Sequence, residues 1–475
     1  MLRYFIKTFG CQMNFSDSER LASFLNSSGF TPLKIKTDKE IIAKDLARAN
    51  LVIFNSCGVR KMPEDRAFGQ IHNLRKNNPN IKIALTGCIS QRKDVQTVLK
   101  NKVDLFFSIK DFDLLKNFVI ENFSKNLKLK TLPTSRQVKN SNNTQENIAY
   151  LSVTPKYTND FSANVPIMTG CNNFCAYCVV PYARGREVSR PAEEIIDEVK
   201  SLVKNDYKEI ILLGQNVNSY RSTSPSGRGV GGEGVNFAQL LKMINNIPGN
   251  FWIRFMTSHP KDMSDELIEP ITQLDKVCES VHLPIQSGSN TVLKNMNRRY
   301  TRKHYLGLIK KIKESFAKNK PGAIFSLSSD VIVGFPGETK TQLEKSAEVM
   351  RKVKYDMVYF GQFSPRPQTA AWLMEDNVSK PEKERREKYL NEILKKTSLE
   401  NNQKYLDKIF DVLIESQKGG TYFGKTRTLK NVKVTNVNIC HPELDSGSKS
   451  LIGKIISVKI TKANIWNLEG KIYIK

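Results

Sequence analysis

Residues 170–182 read GCNNFCAYCVVPY, a stretch in which three cysteines are separated by three and then by two residues. A tight loop can bring Cys171, Cys175 and Cys178 to one face of a small inorganic core, because all three thiolates then lie within bonding reach. A four-iron cluster needs four ligands, so three thiolates leave one iron open, as a catalytic metal site requires. The aromatic side chains of Phe174 and Tyr177 are expected to shield the core from water. The stretch therefore predicts a [4Fe-4S] site with one open iron.

Strand-like and helical segments alternate six times around this loop, from residue 165 to about residue 363. The candidate strands span residues 165–168, 209–213, 252–256, 280–283, 327–333 and 357–363. A run of βα units closes into a full or partial parallel barrel, and six units favour the partial form. Functional groups of such a barrel lie beyond the carboxyl ends of its strands. The cysteine loop follows the first strand, so it lies at the functional end.

Two other interpretations of the cysteine loop are a zinc site and a cluster with a purely structural role. A structural zinc site takes four Cys or His ligands, and the nearest histidine in the sequence is His259. The spacing favours a catalytic cluster, but it does not by itself exclude these two alternatives.

The longer string 170–191, GCNNFCAYCVVPYARGREVSRP, resembles the radical S-adenosylmethionine (SAM) enzymes and, among them, the methylthiotransferases. The strings TFGCQMN (8–14), VVPYARGREVSRP (179–191) and MTSHPKDM (256–263) are most similar to the branch that acts on N6-isopentenyladenosine in tRNA. The resemblance implies methylthiolation of adenosine C2 at position 37, with a 5′-deoxyadenosyl radical made from SAM and a methyl group from a second SAM. The same chemistry on N6-threonylcarbamoyladenosine or on a ribosomal protein is the alternative within the family.

Polar, glycine-containing loops follow several of the barrel strands. Glycine lets the backbone approach a ligand closely, and side-chain amides can hold the ligand's polar groups. The resemblance implies that Gly214, Gln215 and Asn216 meet the amino-acid end of SAM. It also implies that Gly334 lies near the nucleoside of SAM.

The first 123 residues predict a doubly wound α/β domain. Short apolar runs at 4–7, 51–55 and 82–85 have the form of buried parallel strands, with helical segments between them. Ser16-Asp17-Ser18-Glu19 has the form of a capping box and predicts a helix that begins there.

Three further cysteines each follow one of these strand-like runs. Cys11, Cys57 and Cys88 come within a few residues of where the first, second and third runs end. Since parallel strands present their carboxyl ends at one sheet edge, the three sulfurs are expected to lie together. The plain alternative is that they are buried core cysteines. The resemblance implies that they hold a second [4Fe-4S] cluster, whose open iron carries the sulfur to be transferred.

The composition is strongly basic. Of 475 residues, Lys and Arg number 74 against 47 Asp and Glu, so the formal net charge is +27. Such an excess favours a polyanionic partner, either nucleic acid or an anionic membrane surface. No apolar run approaches the roughly 18 residues that span a bilayer, and the first residues lack the apolar region of a signal peptide. We therefore expect a cytoplasmic protein that does not bind membranes, with eight cysteines that form no disulfides.

The last segment is β-rich and basic. From residue 402 to residue 475 there are 13 Lys and Arg against 6 Asp and Glu. This pattern predicts a small antiparallel β-barrel that binds a phosphate backbone. It resembles the TRAM domain that ends the methylthiotransferases.

The expected division is an N-terminal α/β domain at 1–123, a linker at 124–156, a radical SAM core at 157–398 and a TRAM-like barrel at 399–475. The linker is expected to hold one strand near residues 148–153. Residues 222–234 and 441–449 are insertions relative to the family pattern. Gln368 and Ala370 stand where the family has Gly and Pro.

Four residues are assigned no part in the chemistry. Cys278 and Cys440 fit neither cysteine triad. His259 and His282 are interpreted as structural, because nothing adjacent in the sequence orients either of them as a base.

The expected partners follow from this picture. They are the anticodon arm of tRNA, an electron donor such as a flavodoxin or ferredoxin, and a sulfur source. A monomer is expected, although the sequence leaves the oligomeric state open. A hypothesis from another class is a non-catalytic RNA-binding protein with structural metal clusters.

Overall fold

The computed structural model describes residues 1–35, 46, 48–59, 61–124, 149–222, 234–435 and 450–474. These residues form an N-terminal parallel sheet, a set of six parallel strands and a closed five-stranded barrel. The predicted fold class, with an α/β domain, a partial barrel and a terminal β-barrel, is confirmed.

The N-terminal sheet is fully parallel with the order β2-β1-β3-β4-β5. Its strands are β1 (Arg3–Phe9), β2 (Thr31–Pro32), β3 (Leu51–Ser56), β4 (Lys82–Gly87) and β5 (Leu105–Phe106). Its helices are α1 (Gln12–Ser27), α2 (Lys61–Asn77), α3 (Lys93–Leu99) and α4 (Phe112–Phe123). Along β3, Leu51 and Ile53 pack on the face covered by α1 and α4, while Val52 and Phe54 pack on the opposite face. This alternation of buried side chains is what a doubly wound sheet requires.

The predicted start of the first helix is wrong. The helix begins at Gln12, and Cys11 is its N-cap residue, with Asn14 at the third position completing the cap. Residues 16–19 lie inside the helix and are buried, because their polar side chains bind groups elsewhere in the fold instead of capping the helix.

The second part of the chain is a half-barrel of six parallel strands in sequential order. These strands are β6 (Ser162–Pro166), β9 (Glu209–Leu213), β12 (Trp252–Phe255), β13 (Ser280–His282), β14 (Ser326–Val333) and β15 (Met357–Gln362). Two short ribbons flank them: β7 (Met168–Thr169) with β8 (Val188–Ser189), and β10 (Arg221–Ser222) with β11 (Val235–Asn236). A parallel bridge between Ile253 and Val277 joins the two groups of three strands.

Helices of the half-barrel pack outside its strands around one large apolar core. They are α5 (Val180–Arg184), α6 (Ala192–Lys204), α7 (Phe237–Asn245), α8 (Asp265–Gln273), α9 (Asn290–Asn295), α10 (Arg302–Asn319), α11 (Lys340–Val353) and α12 (Lys380–Gln403). Helix α1 of the N-terminal domain also packs against β6. Among the described residues, every helix is too short or too polar to span a lipid bilayer.

The C-terminal barrel contains β16 (Ile409–Lys418), β17 (Thr421–Thr426), β18 (Asn431–Val434), β19 (Ile455–Ala463) and β20 (Leu468–Ile472). Four of its strand pairs are antiparallel, as predicted, but β18 and β20 are parallel. The reason is topological, because β19 pairs with β16 and its return strand β20 then closes the barrel against β18.

The segment before the half-barrel differs from the expected strand. Residues Ala149–Ser152 form a 3-10 turn, and Tyr150 and Leu151 are both buried in the core of the N-terminal domain. Adjacent side chains that are buried on the same side suit a turn better than a strand, in which they would alternate. Most of the insertion 222–234 and all of 441–449 lie outside the described residues, as does Cys440, while Ser222 pairs with Val235 at the base of the first insertion.

Candidate active site

The three N-terminal cysteines lie on adjacent loops at the carboxyl edge of the sheet, as predicted. Cys57 and Cys88 directly follow β3 and β4, and Cys11 lies two residues beyond β1. The Cys57 amide donates to the Phe9 carbonyl at 2.7 Å, and the Cys88 amide donates to the Ser56 carbonyl at 2.9 Å. Three neighbouring loops are thereby tied to one another.

Gly10 is required for this close approach. A Cβ atom at position 10 would lie 2.9 Å from the Cβ atom of Cys57, closer than carbon atoms can pack. Near the sulfurs, the Val59 amide donates to Cys57 Sγ at 3.3 Å, and Cys11 Sγ donates to Asn14 Oδ1 at 3.4 Å. A backbone N–H directed at a sulfur stabilises its thiolate form, the form that binds iron.

The barrel loop with the other three cysteines is held in an unusual backbone conformation. Gly170 has φ of 82°, and a side chain there would clash with the Arg186 carbonyl. The Cys171 amide donates to the Gly185 carbonyl at 3.2 Å, and Phe174 has φ of 46°. Residues held in strained backbone conformations cluster at functional sites.

Arg298 contacts the cysteine loop directly. Its Nη1 donates to Cys175 Sγ at 3.3 Å, and its Nη2 donates to the Pro284 carbonyl at the same distance. The side chain is buried, so this positive charge acts on the sulfur with little screening by solvent.

The two cysteine triads are neighbours. Burial raises the pKa of the Cys178 thiol, and the nearby sulfurs of Cys175, Cys171 and Cys88 raise it further. The helix that follows the barrel loop is tied to the N-terminal domain, since Arg184 pairs with Asp17 at 2.6 Å and Lys110 donates to the Arg184 carbonyl. The loops that carry the two triads therefore lie at one boundary between the half-barrel and the N-terminal domain.

Within the described ranges, no three His, Cys, Asp or Glu side chains converge tightly enough to bind a single metal ion. A four-iron core does not need such convergence, because each thiolate binds a different iron. In each triad at least one sulfur accepts an N–H group, Cys57 from Val59 and Cys175 from Arg298, which fits a [4Fe-4S] core, and the described residues offer neither triad the fourth ligand of a closed zinc site.

Unpartnered polar atoms gather at the carboxyl ends of the barrel strands. Among the described residues, Gln215 Oε1, Asn216 Oδ1, Ser258 Oγ and Gln286 Oε1 are buried without a hydrogen-bond partner. Thr257 and Gln286 also have positive φ values of 70° and 66°. Buried polar atoms are normally paired, so these three unpartnered amide oxygens and one unpartnered hydroxyl fit a polar ligand such as SAM.

The two glycines predicted to contact SAM are positioned differently. Gly214 directly follows β9 and precedes Gln215 in the chain. Its carbonyl accepts from Thr257 Oγ1 at 2.7 Å. The Gly334 amide donates to Glu338 Oε2 at 2.8 Å, so it is already paired within its own turn. Gly334 has φ of 68° after β14, and Lys383 fills the space where a Cβ atom would lie.

The two histidines have different environments. His259 Nδ1 accepts from the Lys261 amide at 3.1 Å, and burial, together with Arg298 and Lys261, lowers its pKa to about 2, as suits a structural role. His282 Nδ1 lies 2.9 Å from Ser328 Oγ, and its Nε2 lies 3.5 Å from Asp330 Oδ2. The partners of His282 come from the neighbouring strand β14 and are distant in sequence, so no local sequence pattern indicates them, and the structural role of His282 stays a prediction.

Cys278 is buried in an apolar cluster with Trp252 and Leu413, in keeping with its exclusion from the ligands. Sequence analysis missed the arginines that surround the cysteines. Besides Arg298, Arg184 pairs with Asp17, and Arg366 pairs with Glu64. No sequence signal marks them, since each partner lies more than a hundred residues away in the chain.

A six-stranded parallel half-barrel with a Cys-x3-Cys-x2-Cys loop after its first strand defines a radical SAM protein. Residues 165–350 match the family model described as the Radical SAM superfamily, and residues 3–108 match the one described as Uncharacterized protein family UPF0004. A radical SAM domain uses SAM and a [4Fe-4S] cluster.

Relatives that match along nearly the whole chain are named tRNA-2-methylthio-N(6)-dimethylallyladenosine synthase. Those of Clostridium botulinum strain Hall and Finegoldia magna are each 40% identical, cover 98% of this chain, and are themselves covered to 96% and 94%. That of Thermoanaerobacter pseudethanolicus is 39% identical over 99% of this chain and 93% of its own. The chain belongs to this family of radical SAM methylthiotransferases, which confirms the resemblance.

Among solved structures, the radical SAM methyltransferase TsrM from Kitasatospora setae, with cobalamin and a [4Fe-4S] cluster bound, is similar with a TM-score of 0.53. The two chains are 13% identical, and the match covers 78% of this chain and 77% of that one. At this identity the likeness shows the fold alone.

Proposed function

We propose that this protein methylthiolates C2 of N6-isopentenyladenosine at position 37 of tRNA, giving 2-methylthio-N6-dimethylallyladenosine by radical SAM chemistry. The observation that carries the proposal is that the helices next to the two cysteine triads are joined across the domain boundary, through the Arg184–Asp17 ion pair and the hydrogen bond from Lys110 to the Arg184 carbonyl. Sulfur insertion at an unactivated aromatic C–H has no ordinary acid/base route, so a radical source and a sulfur carrier must be neighbours. Two adjacent triads satisfy that requirement.

In this proposal the barrel triad holds the cluster that binds SAM. Its ligands are Cys171, Cys175 and Cys178, and the SAM contacts are Gly214, Gln215, Asn216 and Gly334. When bound, the cluster supplies the electron that cleaves SAM to a 5′-deoxyadenosyl radical able to take hydrogen from adenosine C2. The protein's own part is to direct Arg298 at Cys175 and to offer SAM the unpartnered oxygens Gln215 Oε1 and Asn216 Oδ1.

We assign a second [4Fe-4S] cluster to Cys11, Cys57 and Cys88. Support comes from the loops that tie these residues together and from the N–H group directed at Cys57 Sγ. Core cysteines would not need such a donor. The open iron of this cluster is the proposed carrier of the sulfur.

The C-terminal barrel is the proposed RNA-binding element. Lys459 and Lys471 are exposed and lie directly opposite each other on β19 and β20. Like charges at such positions destabilise a sheet, so their presence favours a polyanionic partner. Phe423, Trp466 and Tyr473 are partly exposed aromatic side chains on the same barrel and could stack on unpaired bases.

The remaining assignments are also proposals. The tRNA contact is the anticodon arm, because its unpaired loop can be read by stacking and by splaying out bases. A second SAM supplies the methyl group, and an electron donor such as a flavodoxin or ferredoxin and a separate sulfur source complete the reaction. We place the enzyme in the cytoplasm, as a monomer divided at residues 123, 156 and 398. Helix α12 is continuous across the last of these boundaries.

The decisive experiment is analysis of tRNA from cells that lack the gene. Nucleoside digests should lose 2-methylthio-N6-isopentenyladenosine and accumulate N6-isopentenyladenosine, and expression of the intact gene should restore the first. If both nucleosides stay at their normal levels, the proposed substrate is wrong. A loss of methylthiolated threonylcarbamoyladenosine, or of a methylthiolated ribosomal protein, would identify one of the two alternatives within the family.

A non-catalytic RNA-binding protein makes a different prediction. For such a protein, Cys178→Ala should weaken folding, since its cluster would be structural. For the enzyme, Cys178→Ala should abolish SAM cleavage while melting temperature and RNA affinity stay close to those of the wild type. Measurement of all three quantities on one preparation separates the two classes.

A further inference from the structure

One buried ion pair joins the helices that follow the two cysteine sites. Arg184 is the last residue of α5, which begins two residues after Cys178. Its Nη2 lies 2.6 Å from Oδ2 of Asp17, and the two side chains are 3% and 0% exposed. Asp17 lies on α1, whose N-cap residue is Cys11. This ion pair therefore links α5, which follows the barrel triad, to α1, whose N-cap residue is a cysteine of the N-terminal triad.

The backbone carbonyls of residues 184 and 185 also accept hydrogen bonds, one from the N-terminal domain and one from the barrel loop. Lys110, from the N-terminal domain, donates from Nζ to the Arg184 carbonyl. The carbonyl of the next residue, Gly185, accepts from the Cys171 amide at 3.2 Å. Any displacement of the N-terminal domain would thus be transmitted through residues 184–185 to the first cysteine of the barrel loop.

The ion pair is incompletely satisfied within the part of the chain that the structure describes. Nη1 of Arg184 and Oδ1 of Asp17 are buried and have no hydrogen-bond partner. A buried guanidinium normally uses its N–H groups, because leaving one unpaired costs free energy.

We propose that Arg184 is a positioning residue that holds the two cysteine sites in register and places a fixed positive charge between them. With clusters bound, both sites carry anionic thiolates and sulfides, and a buried cation between them reduces their repulsion. Register matters because sulfur carried by one site must meet a substrate carbon that is activated at the other. This inference rests on the proposed function.

Arg184→Met, Arg184→Lys and the double variant Arg184→Met with Asp17→Asn test the proposal. Methionine removes both the charge and the hydrogen-bonding guanidinium, whereas lysine keeps the charge but not the guanidinium. The double variant avoids leaving the Asp17 carboxylate buried without a charge partner. The matched control is Arg254→Met. Arg254 is equally buried, pairs with Glu209 and joins the half-barrel to the C-terminal barrel through the Thr426 carbonyl.

The first readout uses the protein without clusters. Hydrogen exchange should speed up in α1 and α5 of both Arg184→Met variants, whereas Arg254→Met should affect β12 and the C-terminal barrel instead. The second readout is an electron paramagnetic resonance titration of the reconstituted protein. The midpoint potentials should fall in both Met variants, stay near wild type in Arg184→Lys, and be unchanged in Arg254→Met.

The third readout is the ratio of methylthiolated nucleoside to 5′-deoxyadenosine. It should fall about tenfold or more in both Arg184→Met variants, since a displacement of about 1 Å can cost about 100-fold. Arg184→Lys should recover part of it. Potentials and ratios in Arg184→Met equal to those of Arg254→Met would overturn the inference. If the wild-type protein forms no methylthiolated nucleoside, the proposed function fails, while exchange and potentials still decide the role of Arg184.

Discussion

Arg298 donates a hydrogen bond to Cys175 across 3.3 Å, although the two residues are 123 positions apart in the chain. Hydrogen bonds to cluster sulfurs raise the reduction potential, because they stabilise the added negative charge. Arg298→Met should therefore lower the potential of the barrel cluster by roughly 60 mV, the equivalent of about 1.4 kcal/mol for a charge-assisted bond. Potentiometric titration of the reconstituted protein measures it. Arg302→Met, which removes an exposed arginine paired with Glu348, is the control and should leave the potential unchanged.

Iron content should separate the two cysteine triads. Reconstituted wild-type protein is expected to bind about eight irons per chain, and Cys88→Ala or Cys178→Ala about four, since three ligands hold each four-iron core. Anaerobic iron and sulfide quantification checks this, with Cys278→Ala as the control that keeps about eight. About four irons in the wild type would remove the second cluster, and zinc in place of iron would contradict the radical chemistry.

Substitution of Gln215 should weaken SAM binding without lowering the stability of the protein. Its Oε1 is buried without a partner, so the side chain contributes little to folding in the absence of ligand. We expect Gln215→Met to leave the melting temperature unchanged or slightly raised and to weaken SAM binding by up to about tenfold, the value of one hydrogen bond. Isothermal titration calorimetry of the reconstituted protein is the measurement. Unchanged SAM affinity would exclude Gln215 from the site.

Lys110 should make stability depend on pH in the alkaline range. Burial, with a contribution from Arg184, lowers the pKa of Lys110 to about 8, whereas an unfolded lysine titrates near about 10.4. Between these values the unfolded chain binds more protons than the native one, so the free energy of unfolding should rise with pH. Denaturant unfolding between about pH 8 and about pH 10 checks the sign. The slope should be smaller in Lys110→Met, and an equal slope in that variant would contradict the assignment.

The opposed lysines of the C-terminal barrel should bind RNA through charge. Lys459→Ser with Lys471→Ser should reduce tRNA affinity and should flatten its salt dependence, by about 0.7 in the log–log slope for each single-strand phosphate that is no longer neutralised. The barrel itself should become slightly more stable, because two like charges no longer face each other. Fluorescence anisotropy over a salt series measures the affinity and its salt dependence, and thermal unfolding measures the stability. Lys310→Ser, on the exposed face of α10, should change none of them.

The positions of the strands and of the six cysteines could be predicted because they depend on local signals. Apolar runs such as 51–55 are short and are followed by small polar or glycine residues, and parallel strands bring their ends together whatever the rest of the chain does. The two triads therefore lie where periodicity and spacing predicted them. The role of Gly334 comes from the family resemblance and not from these patterns; its amide is occupied by Glu338, and its contact with SAM stays a prediction.

The features that sequence analysis missed depend on distant partners. Residues 16–19 have the sequence of a capping box but do not cap the helix. Asp17 instead pairs with Arg184, and Glu19 accepts from Thr158, both across the domain boundary. Arg366, Arg298 and Arg184 likewise acquire their roles only once the half-barrel meets the N-terminal sheet. At Gln368, where the family has Gly, the backbone adopts φ of 72°, so the departure in sequence keeps a glycine-like conformation.

The buried polar residues of α1 determine how the N-terminal domain and the half-barrel unfold. Asp17 and Arg20 are fully buried, and both find their charge partners in the half-barrel, at Arg184 and Glu198. An excised N-terminal domain would hydrate these groups, and α1 would no longer be held in its present orientation by the half-barrel. Heating should consequently melt the sheet and the half-barrel in one cooperative transition, and residues 1–123 produced alone should be only partly folded.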